Sequence, residues 1–287
     1  MSANQQMSEA WNGGESVHYV EEADRYDRQL APFADALIER VGLEAHHAVL
    51  DIGCGCGVTT LAAARHVRAA TGLDISTPLV HVATARARAT DVDNADFVIA
   101  DAQTFPFDAG AFDIVISEFG LMFFDDPVRA FANLRRALVP GGRIAFVSWQ
   151  GLEANDWVMT VGEVVRRYVP LPQLGGLAGG PGMFALQDPD EIRSLVEAAG
   201  FVDVEVEPVT PNILIGGGGT LDESTDFLLG MGIVRGLLSR VDDADRDAAV
   251  DAVRGSLASR YEPAVGVRLG AAGWLVSARA EQSPSAG

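Results

Sequence analysis

Between Val49 and Thr60 the chain reads Val-Leu-Asp-Ile-Gly-Cys-Gly-Cys-Gly-Val-Thr-Thr. An apolar run closes on Asp51. Glycines then stand at the alternate positions 53, 55 and 57, and a helical pattern follows from about Thr59 to His66. A strand, a tight turn and a helix start in that order bring bare backbone up to a nucleoside-type ligand in a parallel α/β sheet. The glycine spacing narrows the choice of ligand. A diphosphate fingerprint needs G-x-G-x-x-G. Counted from Gly53, its third glycine would fall on Val58; counted from Gly55, it would fall on Thr60. G-x-G-x-G instead suits close backbone approach without a pyrophosphate. An ordinary strand-to-helix turn is the competing reading.

The text around the turn alternates. Strand patterns at 48–52, 70–74, 96–100, 112–117 and 143–148 are separated by helical patterns near 58–67, 77–90 and 127–138, which predicts a parallel, doubly wound sheet. Upstream, Tyr26, Leu30, Phe33, Leu37 and Val41 recur at helical spacing within 19–41, and Pro32 is expected to break that stretch into two helices. Residues 1–17 read as flexible. Downstream, helices are expected near 155–168, 188–199, 221–238 and 242–260. Strands are expected near 201–207, with Val202, Val204 and Val206 on one face, and near 271–279. The division implied is 1–45 as N-terminal helices, 46–150 as the ligand-binding core, 151–280 as sheet completion with cap insertions, and 281–287 as a flexible tail.

Composition limits the partners. A formal charge of -19 over 287 residues disfavours nucleic acid and acidic membrane surfaces, both of which need a basic face. All 21 basic residues are arginine. A Schiff-base lysine, a pyridoxal-phosphate lysine and a P-loop lysine are therefore excluded. The two cysteines, Cys54 and Cys56, both lie in the glycine turn and cannot staple a fold. Met1 to Gly14 lacks the apolar core of a signal peptide, and no run approaches the roughly 18 apolar residues of a membrane span. A cytoplasmic protein without stable membrane insertion is expected; its oligomeric state is not legible. No metal site is expected: a C-x-C pair without histidines is a poor zinc site, and His46-His47 sits in a connector.

Three further places carry chemistry. Asp74 closes a strand about twenty residues after the turn, where a carboxylate can accept both ribose hydroxyls; a helix cap before Ser76 is the alternative. Asp101-Ala102 follows the strand at 96–100 and fits an adenine edge, or a solvated turn. The run from Phe112 to Phe124 is a buried strand leading into an apolar loop. Ser117 to Phe119 should border the reactive end of a ligand, with Met122 and Phe123 serving either a pocket or the core.

Together the segments VLDIGCGCG, GLDIS, ADAQTFPF, FDIVISEFGLMFF and LRRALVPGGRIAF resemble the Rossmann-like, S-adenosylmethionine-dependent (class I) methyltransferases of the small-molecule, ubiquinone/menaquinone-biosynthesis type. The resemblance runs from about Ala48 to Trp149. It implies an α/β fold with a mostly parallel seven-stranded sheet, an antiparallel closing strand and helical caps. It implies S-adenosylmethionine as cofactor, with Gly53, Gly55 and Gly57 against the methionine part, Asp74 on the ribose, Asp101 and Ala102 on the adenine, Ser117 near the methionine end and Tyr26 closing over it. Asp51, Cys54 and Ile75 belong to the same binding motifs. Nucleic-acid amino-methyltransferases carry Asn/Asp-Pro-Pro-aromatic where this chain has Ser117-Glu118-Phe119-Gly120, and arsenic-methylating relatives need cysteines absent here.

The implied reaction is in-line methyl transfer to a small, largely apolar metabolite, with oxygen favoured as acceptor over nitrogen or carbon. Candidate bases are Glu118, His18 and Tyr26; Glu118 is best placed, with a surface or capping carboxylate as its alternative. His81 reads as structural. Phe119, Met122 and Trp149 are substrate-binding candidates. The glycine tracts at 175–182 and 216–219 read as lid hinges or plain flexible loops. A cofactor-binding protein of the same fold that rearranges its ligand, or serves as a binding module, is the alternative function. A nicotinamide oxidoreductase is the fallback.

Overall fold

The computed structural model describes residues 4–172 and 175–281. Three helices open the chain: α1 (Gln5–Trp11), α2 (Gly14–Glu21) and α3 (Ala23–Val41). The alternating core follows as β1 (Ala48–Ile52), α4 (Val58–Ala64), β2 (Ala69–Asp74), α5 (Thr77–Ala89), β3 (Ala95–Ile99), β4 (Phe112–Glu118), α6 (Pro127–Ala137) and β5 (Leu138–Trp149). Next come α7 (Asp156–Val165), α8 (Pro189–Ala198), β6 (Phe201–Val209), β7 (Asn212–Leu214), α9 (Leu221–Gly230), α10 (Gly232–Leu238), α11 (Asp243–Ala258), β8 (Tyr261–Glu262), β9 (Gly266–Gly270) and β10 (Gly273–Ala280).

The main sheet has seven strands in the order β3-β2-β1-β4-β5-β10-β6. Its first five strands pair in parallel, and β10 runs antiparallel between β5 and β6. Every residue of β1 is buried, as helices on both faces of a parallel sheet require. The strand order reverses beside β1, between β2 and β4, so a crevice opens at their carboxyl ends. A small antiparallel sheet, β7-β9-β8, packs with α7, α9, α10 and α11 into the cap. No helix among the described residues is long and apolar enough to cross a membrane.

Several expectations need correction. The N-terminal stretch is folded from residue 4 onward, because α1 and α2 have the crevice itself to pack against; residues 1–3 lie outside the described region. The helical break falls at Glu22 rather than at Pro32, which sits inside an unbroken α3. An internal proline costs about 3 kcal/mol. Burying Tyr26, Phe33, Leu37 and Val41 along one stripe returns about 1.5–3 kcal/mol per large side chain, which outweighs it. In β6, Val202 is 39% exposed while Phe201 and Val204 are buried. Asp203 has φ 55°, and pairing with β10 shifts between Ser277 and Arg279, so a bulge breaks the alternation. The tail assigned to 281–287 lies, from residue 282, outside the described region.

The tract Gly216–Gly219 is hydrogen-bonded and packed. It crosses directly over α3. The buried Gln29 accepts the Gly216 N–H at 2.8 Å, and Arg25 Nε donates to the Gly216 carbonyl at 3.0 Å. Gly217 lies so close that a Cβ there would meet the Arg28 side chain at 2.6 Å. The other tract is also held: Gly176 N–H donates to the Phe184 carbonyl and Gly182 N–H to that of Met122, with residues 173 and 174 outside the described region.

Candidate active site

The turn after β1 and the turn after β4 touch through bare backbone. Gly53 has φ 66°, and a Cβ on it would lie 2.7 Å from Gly120 Cα. On Gly120 a Cβ would lie 2.6 Å from the Ile52 carbonyl. Ser117 fastens the contact: its Oγ donates to the Ile52 carbonyl at 2.7 Å and accepts from Gly120 N–H at 3.2 Å. Gly55 has φ 52° with nothing within 4 Å of its would-be Cβ, so it faces open space. That space is a cavity of about 490 Å³. Its floor is the two turns and the ends of β2 and β3; its roof is α1–α3, the α9–α10 junction and Met183.

Asp74 organises the floor. One carboxylate oxygen accepts Gly55 N–H at 2.9 Å and the other accepts Ser76 N–H at 2.8 Å. It therefore holds the Ser76 turn and lines the cavity at once. Each oxygen keeps a lone pair for a ribose hydroxyl. Burial holds its pKa above the ordinary aspartate value, against the downward pull of the backbone N–H groups of Ser76, Gly55 and Ile75. Asp101 marks the other pole. Its Oδ1 accepts from Asn4 Nδ2 at 2.7 Å and Gln103 N–H at 2.9 Å. Asn4 is tied in turn to Asp125 through both its backbone N–H and its Oδ1, so the start of α1 is stapled to the cavity rim.

Of the residues singled out from the sequence, Tyr26, Gly53, Cys54, Gly55, Asp74, Ile75, Asp101, Ala102, Glu118, Phe119, Met122 and Trp149 all border this cavity. Four do not. Asp51 is fully buried behind the turn, where one oxygen accepts the hydroxyls of Thr59 and Thr60, both at 2.6 Å, and locks α4 onto β1. Burial pushes its pKa up to about 6. Gly57 faces the protein, with a would-be Cβ 2.9 Å from Ala83 and 3.0 Å from Phe97. Ser117 is enclosed by the clamp just described. His18 stands behind Tyr26, its Nδ1 2.9 Å from the Tyr26 hydroxyl, and burial lowers its pKa. His46, His47 and Glu44 gather on the α3–β1 connector, where His47 Nδ1 accepts the Glu44 N–H and closes a local turn.

Two aromatic stacks flank the cavity. Tyr19 lies on Tyr26 with centroids 3.8 Å apart, and Phe119 lies on Trp149 at 4.0 Å. Phe119 adopts φ 59°, a conformation that costs a non-glycine residue energy and that clusters at functional sites. Next to it, Glu118 presents a carboxyl whose Oε1 is buried with no hydrogen-bond partner. Burial, reinforced by Asp51, Asp27 and Asp35, pushes its pKa up to about 8. Asn4, Glu15, Asp27, Gly120 and the Met231–Ile233 segment also border the cavity and carried no readable motif. Only Gly120, inside the apolar run after β4, offered a signal: a glycine where a strand end meets a second loop.

A reversing parallel sheet with a glycine turn and a strand-end carboxylate at its switch point is the Rossmann-like arrangement that takes a nucleoside-type cofactor. Residues 50–146 match the family profile of a methyltransferase domain. Over 204 residues the chain is 31% identical to the demethylmenaquinone methyltransferase of Thermus thermophilus, an alignment covering 64% of this chain and 90% of that enzyme. It is 37% identical over 103 residues to the aklanonic acid methyltransferase DauC of a Streptomyces species, covering 35% of this chain and 47% of that one. It is 33% identical over 111 residues to the methyltransferase YcgJ of Bacillus subtilis, covering 39% of this chain and 44% of that one. The YcgJ crystal structure superposes with a TM-score of 0.58 at 19% identity, covering 88% of this chain and 98% of that one. The last two sequence alignments thus span less than half of the relative's length.

The chain belongs to the S-adenosylmethionine-dependent methyltransferases. The site has the features that cofactor needs: open space in front of Gly55, free acceptor capacity on the Asp74 carboxylate, and a carboxylate and backbone at Asp101 and Ala102 on the same wall.

Proposed function

We propose that this protein methylates a small acceptor with a largely apolar body, and that Glu118 takes the acceptor's proton. S-adenosylmethionine supplies an already activated methyl group, so the chain's contribution is to position the acceptor, exclude water and move a proton. Positioning falls to the Phe119–Trp149 stack and Met122, which give one end of the cavity an apolar wall. Residues 1–45 cover the cofactor, 46–150 hold it, and 151–280 complete the sheet and cap the acceptor. Tyr26, backed by His18, closes the roof. Two relatives are named for demethylmenaquinone and aklanonic acid, which accords with a small-molecule acceptor.

The observation that carries this reading is the Glu118 carboxyl, unpartnered on the wall beside the glycine turns. Its raised pKa makes it a stronger base than an ordinary glutamate. Glu118→Gln should retain S-adenosylhomocysteine binding and lower turnover by ~10²–10⁴, the usual worth of general acid–base catalysis. The assay is S-adenosylhomocysteine release on incubation with candidate acceptors. Undiminished turnover would remove Glu118 from the reaction, and failure of the wild type to bind S-adenosylhomocysteine in calorimetry would overturn the reading as a whole.

A further inference from the structure

The cavity wall carries five carboxylates, Glu15, Asp27, Asp74, Asp101 and Glu118, and no arginine, lysine or histidine among the described residues. Four of the five have partners. Asp74 accepts two backbone N–H groups, and Asp101 accepts Asn4 Nδ2 and Gln103 N–H. Asp27 pairs with Arg86 at 2.9 Å, and Glu15 faces Arg235 at 3.6 Å. Glu118 alone is uncompensated. The charged groups that bear on it are carboxylates, Asp51 of β1 with Asp27 and Asp35 of α3, and the remaining titratable neighbour coupled to it is Tyr19 of α2. A buried carboxyl without a donor or a cation is costly. A bound ligand that brings both removes that cost.

Building on the methyl-transfer reading, we infer that the acceptor is an amine on an apolar, ring-bearing body, its ammonium docking on the Glu118 carboxylate. Two sets of aromatic rings border the same cavity, Tyr19 with Tyr26 and Phe119 with Trp149. Ring faces attract an ammonium and hold an apolar body. Acceptors bearing a carboxylate or phosphate near the reactive atom find no basic side chain on this wall among the described residues. An alcohol could exchange a hydrogen bond with Glu118, whereas an ammonium also brings the cation that would let the carboxyl ionise. The sequence favours oxygen as acceptor; the charge balance of the wall moves that assignment to nitrogen.

The proton and electron balance follows. Glu118 carboxylate takes one proton from the ammonium, leaving a neutral amine with a free lone pair. The nitrogen forms a bond to the methyl carbon of S-adenosylmethionine as the carbon–sulfur bond breaks, its electron pair staying on sulfur to give S-adenosylhomocysteine. The positive charge now rests on the methylated nitrogen. Glu118 then loses its proton to solvent and pairs with that nitrogen until release. The apolar surroundings that disfavour charge favour this transfer, because it leaves a neutral acid beside a neutral amine.

The test is calorimetric binding to protein saturated with S-adenosylhomocysteine, using matched pairs of rising ring size: phenethylamine and phenethyl alcohol, tryptamine and tryptophol, with 3-phenylpropionate as the anionic control. The wild type should prefer amine over alcohol by at least ~10-fold, the scale of a charge-assisted hydrogen bond, and reject the carboxylate. Glu118→Gln should abolish the preference while S-adenosylhomocysteine affinity stays within about 3-fold; Glu118→Asp should keep part of the preference, showing that the charge matters rather than the fold. Amines that bind no better than their alcohols at every ring size would overturn the inference and leave the methyl-transfer reading intact. A loss of S-adenosylhomocysteine affinity above ~10-fold in Glu118→Gln would also overturn it, assigning the carboxylate to the cofactor's own amino group. Absence of any S-adenosylhomocysteine binding by the wild type would be the distinct failure of the underlying reading.

Discussion

Glu118 couples the stability of the ligand-free fold to pH, with a sign opposite to that of a salt-bridged carboxylate. Its pKa rises from an ordinary 4.5 when unfolded to about 8 in the folded cavity. Between those values the unfolded chain gives up a proton that the folded protein keeps, so stability falls as pH rises through the interval. The full difference is up to roughly 5 kcal/mol, of which about 2 kcal/mol is lost between pH 6.5 and 8.5. Asp51 moves in the same direction, but with a pKa of about 6 it is already about three-quarters ionised at the start of that window and is present in both proteins. His18 and His47, both lowered by burial, act with the opposite sign, and their effect cancels between wild type and Glu118→Gln. Urea melts of the ligand-free proteins at pH 6.5, 7.5 and 8.5 should therefore show the wild type losing about 2 kcal/mol more than Glu118→Gln across the window. In thermal scans that difference is about 3 °C. Parallel pH slopes for the two proteins would show that the carboxyl is hydrated or partnered, and the physical basis for its role as base would go with it.

Two structural predictions stand beside the functional ones. Gly120→Ala would drive a methyl group into the Ile52 carbonyl at 2.6 Å and the Ser117 hydroxyl at 2.8 Å; the expected result is a loss of about 1–3 kcal/mol of stability and S-adenosylhomocysteine affinity reduced at least ~10-fold as the Gly53 turn shifts, and wild-type affinity in calorimetry would contradict the two-turn contact. Gln29→Leu would strand the Gly216 N–H without its acceptor, at about 1–3 kcal/mol; amide exchange at 216–219 should quicken, and unchanged exchange would mean that the crossing is held by something else.

The alternating core was legible because each of its strands is short, apolar and closed by a turn signal, and because the glycine spacing bears directly on the ligand. The residues that were harder to read owe their roles to contacts distant in sequence. Ser117 looked like a ligand contact, yet its hydroxyl is consumed by Ile52 and Gly120, a clamp visible only once β1 and β4 are neighbours. Gly57 completes the motif, but its missing side chain makes room for Ala83 and Phe97. Pro32 carries a strong local signal for a break, and a stripe packed against the sheet overrides it. Asn4 shows no local pattern at all; its value comes from Asp101 and Asp125, about a hundred residues away.

Helix α3 has a double duty. It offers Tyr26 and Leu30 to the cavity and, from the adjoining face of the same two turns, uses Arg25 and Gln29 to grip the ribbon leading into α9. Roof and cap are thus mounted on one beam. A displacement of this beam would disturb the cavity roof and the ribbon before α9 together. The join rests on the Gln29 amide and the Arg25 guanidinium, with glycines at 216 and 217 leaving room for the Arg25 and Arg28 side chains.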